Sequence, residues 1–264
     1  MTKENLKHDN PIIVIGMGEI GSVFARAFLR LGIPVFPIVR DSAPSHLAEQ
    51  HPQPEMVIVA VGENDLQPVL TSIPAVWRDR LVLIQNELLP RDWLHQGIDT
   101  PTVVSVWFEK KKGQDSKIVV PSVTFGPKAD RIKTALQTLD LPVETLDSEA
   151  QLLFELVRKN LYILTTNIAG LVTGGTVNEL WHQHRELARK VADDVLAIQS
   201  YLTGTTLDHD ALIAAMVRAF NGDPDHQCMG RSAPARLARA ITLADQAGLA
   251  VPALREIALD HYQN

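Results

Sequence analysis

Four β-branched residues, Ile12-Ile13-Val14-Ile15, run directly into Gly16-Met17-Gly18-Glu19-Ile20-Gly21, and a helical pattern begins at once. No other stretch constrains the fold as tightly. A short unbroken apolar run ending in glycine reads as a parallel strand buried on both faces. In G-x-G-x-x-G the first glycine, Gly16, permits a tight turn. Gly18 lets the backbone approach a pyrophosphate, and Gly21 lets the new helix pack against the strand. The helix is legible from Ile20, Val23, Phe24, Ala27, Phe28 and Leu31, with Gly32 as its C-terminal stop. Phosphates would sit on the N–H groups and positive end of that helix. A tight turn with no ligand is the competing reading.

The first half continues as alternating strands and helices. Ile33 to Val39 reads as a second strand, although Pro37 would cost a central strand a ladder bond. Arg40 closes it, where the adenosine ribose of a dinucleotide lies. A carboxylate there suits the ribose hydroxyls of NAD, whereas an arginine suits the 2′-phosphate of NADP. Arg40 therefore favours NADP (NADPH) over NAD, with Asp41 next to it pulling the other way; a solvated strand-end cation is the alternative.

Ser45 to His51 is at most a short helix. Met56 to Val61 is a third strand ending at Gly62, and Asn64 or Asp65 is expected to cap the helix that runs to Ile73. Leu81 to Gln85 is a fourth strand, with Asn86 at the carboxyl edge where open α/β sheets hold ligands. Asn86 could equally cap a helix from Leu88. Val103 to Phe108 is a fifth strand. Glu109 to Asp115 looks like a hairpin turn whose three lysines are solvated, leading to Lys117–Val120. Val123 to Phe125, a helix over 128–139 and a last strand near Pro142–Thr145 follow.

At Ser148 the character changes. Ser148-x-x-Gln151 is a capping box, and no convincing strand follows. Helices are expected over 149–171, 177–202, 208–220, 232–247 and 252–262. The domain boundary is placed at 147: residues 1–147 form a Rossmann-type domain and 148–264 a helical substrate and dimerisation domain. The fold class is α/β, a parallel sheet domain followed by an all-helical one.

Composition narrows the function classes. The 264 residues, 45% hydrophobic and 21% charged, suit a soluble globular protein. A net charge of −6 speaks against nucleic-acid binding. No apolar run of about 18 residues is present, so no membrane span is expected. Met1 to Asn10 is polar and unlike a signal peptide, so a cytoplasmic location is expected. Cys228 is the single cysteine. His182 and His184 diverge by about 200° on a helix, so no metal is expected. His226 and Cys228 lie in the loop Gly222–Gly230, an interhelical or substrate-closing segment.

The long helix carries Lys159 and, eight residues on, Asn167, on an otherwise apolar background. Facing a nicotinamide cleft between the domains, an ammonium group stabilises the oxyanion formed as hydride reaches a carbonyl carbon, and supplies its proton. An Asn amide orients a hydroxyl or carboxylate. An exposed lysine and an internally bonded asparagine are the alternative.

These residues together resemble the ketopantoate reductase family, of the 6-phosphogluconate-dehydrogenase-like group, over most of the chain. The glycine turn and Arg40 match, as do Asn86 at the strand end, Gly126-Pro127, Lys159 with Asn167, and Gly248 followed by Pro252. The resemblance implies NADPH-dependent reduction of a small, branched 2-oxo acid, with Lys159 as general acid and Asn86 and Asn167 as polar binders. It also implies a homodimer. Four places depart from it. Ile163 replaces an asparagine and Ser232 a glutamate, and Gly62-Glu63-Asn64 replaces a lysine-bearing segment; Asn86 is followed by Glu87 where the family has glycine. Asp223, Asp225 and His226 are candidates to restore the lost polarity.

The expected cofactor set is thus Gly16, Met17, Gly18, Glu19, Ile20, Gly21, Arg40, Val61, Gly62 and Asn86. Lys159 and Asn167 are the catalytic pair, and Asn86, Asn167 and Ser232 face a small carbonyl substrate. The rival reading, motivated by Ile163 and Ser232, is a non-catalytic NADP(H)-binding regulator or sensor on the same scaffold.

Overall fold

The computed structural model describes residues 10–40 and 42–263. The expectations for the polar leader before Asn10 and for Asp41 fall outside them. Among the described residues the chain divides into two compact units. One holds the chain up to Leu88 together with Asp92–Leu152; the other holds Leu89–Arg91 and Leu153 onward.

The first unit is built on seven strands: β1 (Ile12–Ile15), β2 (Val35–Ile38), β3 (Met56–Val59), β4 (Leu81–Leu83), β5 (Thr102–Ser105), β8 (Ser122–Phe125) and β9 (Val143–Thr145). Their order is β2-β1-β3-β4-β5-β8-β9. β1, β3, β4 and β5 are buried throughout, as expected of strands covered on both faces. Pro37 is accommodated because β2 is the sheet edge, where a missing N–H breaks no ladder bond. The chain leaves β1 toward β2 on one side and returns to β3 on the other. That switch point opens a crevice at the carboxyl ends of β1 and β3.

The sheet is the expected parallel one except that β8 runs antiparallel to β5. One strand expectation is corrected. The run from Val103 to Phe108 is not one strand. β5 ends at Ser105, and Phe108–Glu109 (β6) instead pairs with Lys117–Ile118 (β7) in a separate two-stranded hairpin.

Helix α1 (Glu19–Arg30) and helix α5 (Ala129–Gln137) pack together on the sheet. Phe24, Phe28, Ile132 and Leu136 join Ile12, Val14 and Ile58 in one buried cluster. Phe24 and Phe28 are fully buried, each contributing about 1.5–3 kcal/mol. The remaining helices here are α2 (Pro44–Gln50), α3 (Leu66–Ser72) and most of α4 (Pro90–Leu94), whose first two residues group with the second unit. A 3-10 turn at Glu63–Asp65 precedes α3, and Asp65 makes no side-chain capping bond, contrary to expectation.

The second unit is helical: α6 (Glu149–Thr173), α7 (Val177–Gln183), α8 (Arg185–Thr203), α9 (His209–Gly222), α10 (Ala233–Ala247) and α11 (Pro252–Gln263). The capping box that starts α6 is displaced by a residue. Ser148 Oγ accepts from Gln151 N, but the Gln151 side chain takes the N–H of Asp147. The single helix expected over 177–202 is two, because His184 leaves helical geometry at φ −127°, ψ 33°. α7 has its own capping box, formed by Thr176 and Glu179. Within α8, Asp194 Oδ2 accepts from Leu254 N at 3.1 Å and so caps α11 from a neighbouring helix. No described helix is long and apolar enough to cross a membrane.

Candidate functional site

The glycine turn shows what each glycine does. Gly16 has φ +93°, and a Cβ there would lie 2.6 Å from the carbonyl oxygen of Ala60. A Cβ on Gly21 would stand 2.0 Å from the Gly16 carbonyl oxygen. Both are demanded by close packing. Gly18 is different: its backbone is extended (φ −74°, ψ −169°), and a Cβ would meet nothing within 4 Å. It is the N-cap of α1 and brings no side chain to the helix's first N–H groups.

Gly18 borders a cavity of about 500 Å3 at the carboxyl ends of β1, β2 and β3. Gly16, Met17 and Gly18 form one wall; Arg40 and Ser42 close the end beyond β2, and Val61, Gly62 and Asp65 the side beyond β3. The Arg40 side chain is 90% exposed, and its Nη2 lies 3.8 Å from Asp65 Oδ2. Buried Gln85 braces this edge. Its Nε2 donates to Val59 O at 2.7 Å and to Val61 O at 3.5 Å, and its Oε1 accepts from Ile84 N. Glu87, where the resembling family has glycine, sits at φ +57°, a strained conformation for a residue with a Cβ, costing about 1–2 kcal/mol.

In the helical unit, Lys159 is only 5% exposed and Asn160 2%. Lys159 is therefore not the solvated lysine of the alternative reading. Asn160 Nδ2 donates to Gln199 Oε1 at 3.0 Å, tying α6 to α8. Asn167, 9% exposed, is engaged at both ends of its amide. Arg236 Nη1 donates to its Oδ1 at 2.8 Å, and its Nδ2 donates to Cys228 O at 3.3 Å. The loop before α10 thus presses on α6, and a Cβ on Gly170 would lie 2.9 Å from Cys228 Cβ. Burial pushes the Cys228 thiol up to about 12, helped by the charge of Glu179, so it is not a thiolate nucleophile. His226 Nδ1 lies 3.6 Å from Asp223 Oδ2, and its ring packs edge-on to Tyr162. No group of His, Cys, Asp and Glu suited to a metal occurs among the described residues.

With this geometry in view, the solved structures that match are telling. Over 96% of this chain, a 2-dehydropantoate 2-reductase from Methylococcus capsulatus aligns with TM-score 0.70 and 13% identity, across 96% of its own length. A ketopantoate reductase from Ralstonia eutropha JMP134 aligns with TM-score 0.65 and 16% identity, over 96% of this chain and 97% of that one. The fold is that of the ketopantoate reductases. A D-mandelate dehydrogenase with NADH also shares it, at TM-score 0.64 and 14% identity over 94% of this chain and 95% of that one. No family model matches the sequence, and no curated protein does.

Of the residues picked out in the sequence, Gly16, Met17, Gly18, Arg40, Val61 and Gly62 line the cavity together. Glu19, Ile20 and Gly21 form the first turn of α1 behind it, and Asn86 follows β4 outside the lining. Ser232 is the exposed N-cap residue of α10 and makes no side-chain capping bond. Ile163 is half-buried on α6. Three positions that shape the cavity or the contacts of Asn167 escaped sequence reasoning. Asp65 reads as a helix cap, Gln85 as a strand end, and Arg236 as one of several arginines in Arg231–Arg239, with nothing in its spacing to mark it as buried.

Proposed function

We propose that this protein is an NADPH-dependent reductase of a small 2-oxo acid, with Lys159 as the general acid. One observation carries the reading. Gly18 has empty space where its Cβ would be, over a cavity that runs from a helix N-terminus to an arginine at the ribose end. A turn selected only for packing would need Gly16 and Gly21 but not Gly18. The residues fit the group: the N–H groups at the start of α1 for the pyrophosphate, Arg40 and Ser42 for a 2′-phosphate, and Val61 and Gly62 for the chain of the cofactor.

When bound, the reduced nicotinamide supplies hydride to a carbonyl carbon. Lys159 carries the proton that the carbonyl oxygen takes up, and its charge stabilises that oxygen as it becomes negative. Burial of an ammonium on an apolar helix is costly unless the charge has a task or a partner. Asn167 contributes by position, since its amide holds Arg236 and the Cys228 carbonyl. Asn86 and Ser232 are proposed to face the substrate. The ketopantoate reductases sharing this fold support a 2-oxo acid as substrate. The dimeric enzyme from Staphylococcus aureus, TM-score 0.64 and 17% identity over 96% of this chain and 98% of that one, supports a homodimer. Boundaries at 147 and 148 divide the cofactor domain from the substrate domain in this proposal.

A second reading, an NADP(H)-binding regulator without turnover, draws on Ile163 and on the exposed Ser232, which leave α6 and α10 short of polar groups for a substrate. Lys159→Ala and Lys159→Arg discriminate. In the reductase reading both bind NADPH like the unaltered protein, while Lys159→Ala loses turnover on 2-oxo acids by about 100-fold or more. Turnover untouched by Lys159→Ala would remove Lys159 from the chemistry.

A further inference from the structure

Among the described residues, only Arg40 and Asp65 bring charge to the lining of the cavity, and they face each other at 3.8 Å across its ribose end. We propose that Asp65 restrains the preference for NADPH, so that one cavity accepts both NADPH and NADH. The inference rests on the cavity being the dinucleotide site.

The two residues offer opposite recognition chemistries. A guanidinium matches a phosphate with paired, charge-assisted hydrogen bonds. A carboxylate accepts hydrogen bonds from the 2′- and 3′-hydroxyls of an unphosphorylated ribose. A 2′-phosphate, carrying about −1.5 to −2 charges at neutral pH, must compete with Asp65 for Arg40. It also has to sit beside a carboxylate of its own sign. A 2′-hydroxyl meets neither obstacle: it donates to Asp65 and leaves the Arg40 pair in place. The carboxylate has the freedom to serve either way. Its side chain is 58% exposed and makes no capping bond to α3. Gly62 leaves the space beside it open, since a Cβ there would come only within 4.0 Å of Asp65 Oδ2.

The geometry also makes the test clean. Asp65 contributes to the 3-10 turn through its backbone N–H, which donates to Gly62 O at 3.0 Å. Asn keeps that bond and removes only the charge. Arg40, with its side chain almost wholly in solvent, can be shortened without opening a core.

The full chain and its Asp65→Asn, Arg40→Ala and double variants are titrated with NADPH and with NADH, reading nicotinamide fluorescence, at low and at raised salt. Asp65→Asn is expected to tighten NADPH about tenfold, as one nearby like charge is removed, and to leave NADH unchanged or weaker. Arg40→Ala is expected to weaken NADPH by about tenfold or more and spare NADH. The NADPH gain in Asp65→Asn should shrink as salt screens the exposed charges. An NADPH-to-NADH affinity ratio unmoved by Asp65→Asn, with Arg40→Ala still shifting it, would reduce Asp65 to a surface ion pair and overturn the proposal while keeping the cofactor site. Failure of the unaltered protein to bind either dinucleotide would overturn both.

Discussion

Gly18→Ala and Gly21→Ala, made side by side, separate what the fold requires from what a ligand requires. The Gly18 backbone lies in the extended region open to any residue, and its Cβ would touch nothing within 4 Å. Alanine there restricts the unfolded chain, worth about 0.4–1 kcal/mol, but it is a poorer helix N-cap than glycine by a comparable amount, so Tm should stay within roughly 2–4 °C of the parent. At Gly21 the new Cβ would lie 2.0 Å from the carbonyl oxygen of Gly16. Neither backbone can yield without moving α1 off the strand end, at a cost of about 1–3 kcal/mol or more. Binding should separate the two in the opposite sense. A methyl at position 18 would stand in the cavity beside the helix N-terminus, where the proposed pyrophosphate would bind. Displacing the phosphate weakens hydrogen bonds to a charged group worth about 1.5–3 kcal/mol, roughly a 10- to 100-fold loss in NADPH affinity. Thermal unfolding and nicotinamide fluorescence read the two quantities. A Gly18→Ala protein that melts close to the parent but binds NADPH poorly fits the account. One that binds as the parent does would refute the assignment of Gly18 to the phosphate, and a Tm lowered as far as in Gly21→Ala would refute the claim that the space is open.

Two further outcomes follow from the helical unit. Asn167→Ala takes an acceptor from buried Arg236 and a donor from the Cys228 carbonyl. It should cost about 2–3 kcal/mol of stability in denaturant titration; lost turnover with unchanged stability would instead give the amide to the substrate. Asp194, 9% exposed, has its carboxyl held above the ordinary 3.8, chiefly by burial, against hydrogen bonds from Leu254 and Ala253. The native state then binds the proton more tightly than the unfolded chain, so ionisation removes stability as pH rises from 3.8 through the native value. Asp194→Asn keeps the acceptor for Leu254 N without the charge. It should be at least as stable as the parent at neutral pH, with a flatter pH dependence above 3.8; a clear loss at neutral pH would contradict this.

The sheet was legible where its strands are continuous apolar runs. Ile12–Ile15, Met56–Val59 and Leu81–Leu83 are buried along their whole length, and such runs have few other uses. The end of β5 was not legible, because Val106, Trp107 and Phe108 continue the apolar run while the chain turns away into the hairpin. The antiparallel placement of β8 is a matter of topology that local pattern does not carry. The break at His184 escaped for a related reason: Trp181-His182-Gln183-His184-Arg185 contains no glycine or proline to signal it. The glycine wall of the cavity was readable because three glycines stand at fixed spacing between a strand and a helix. Its charge was only half readable. Arg40 is marked by its place at a strand end, whereas Asp65 reaches it from another segment across the switch point. The same holds for Arg236, whose hydrogen bond to Asn167 joins residues far apart in the chain.

The central claim, that this scaffold reduces a carbonyl compound rather than only sensing a nucleotide, is tested most directly by mixing the unaltered protein with NADPH and a panel of small 2-oxo acids. The loss of reduced nicotinamide and the gain of hydroxy acid are followed together. The account predicts that at least one branched 2-oxo acid is converted catalytically, one hydroxy acid appearing for each NADPH consumed. Tight NADPH binding with no consumption on any member of the panel would contradict it and leave the regulatory reading in its place.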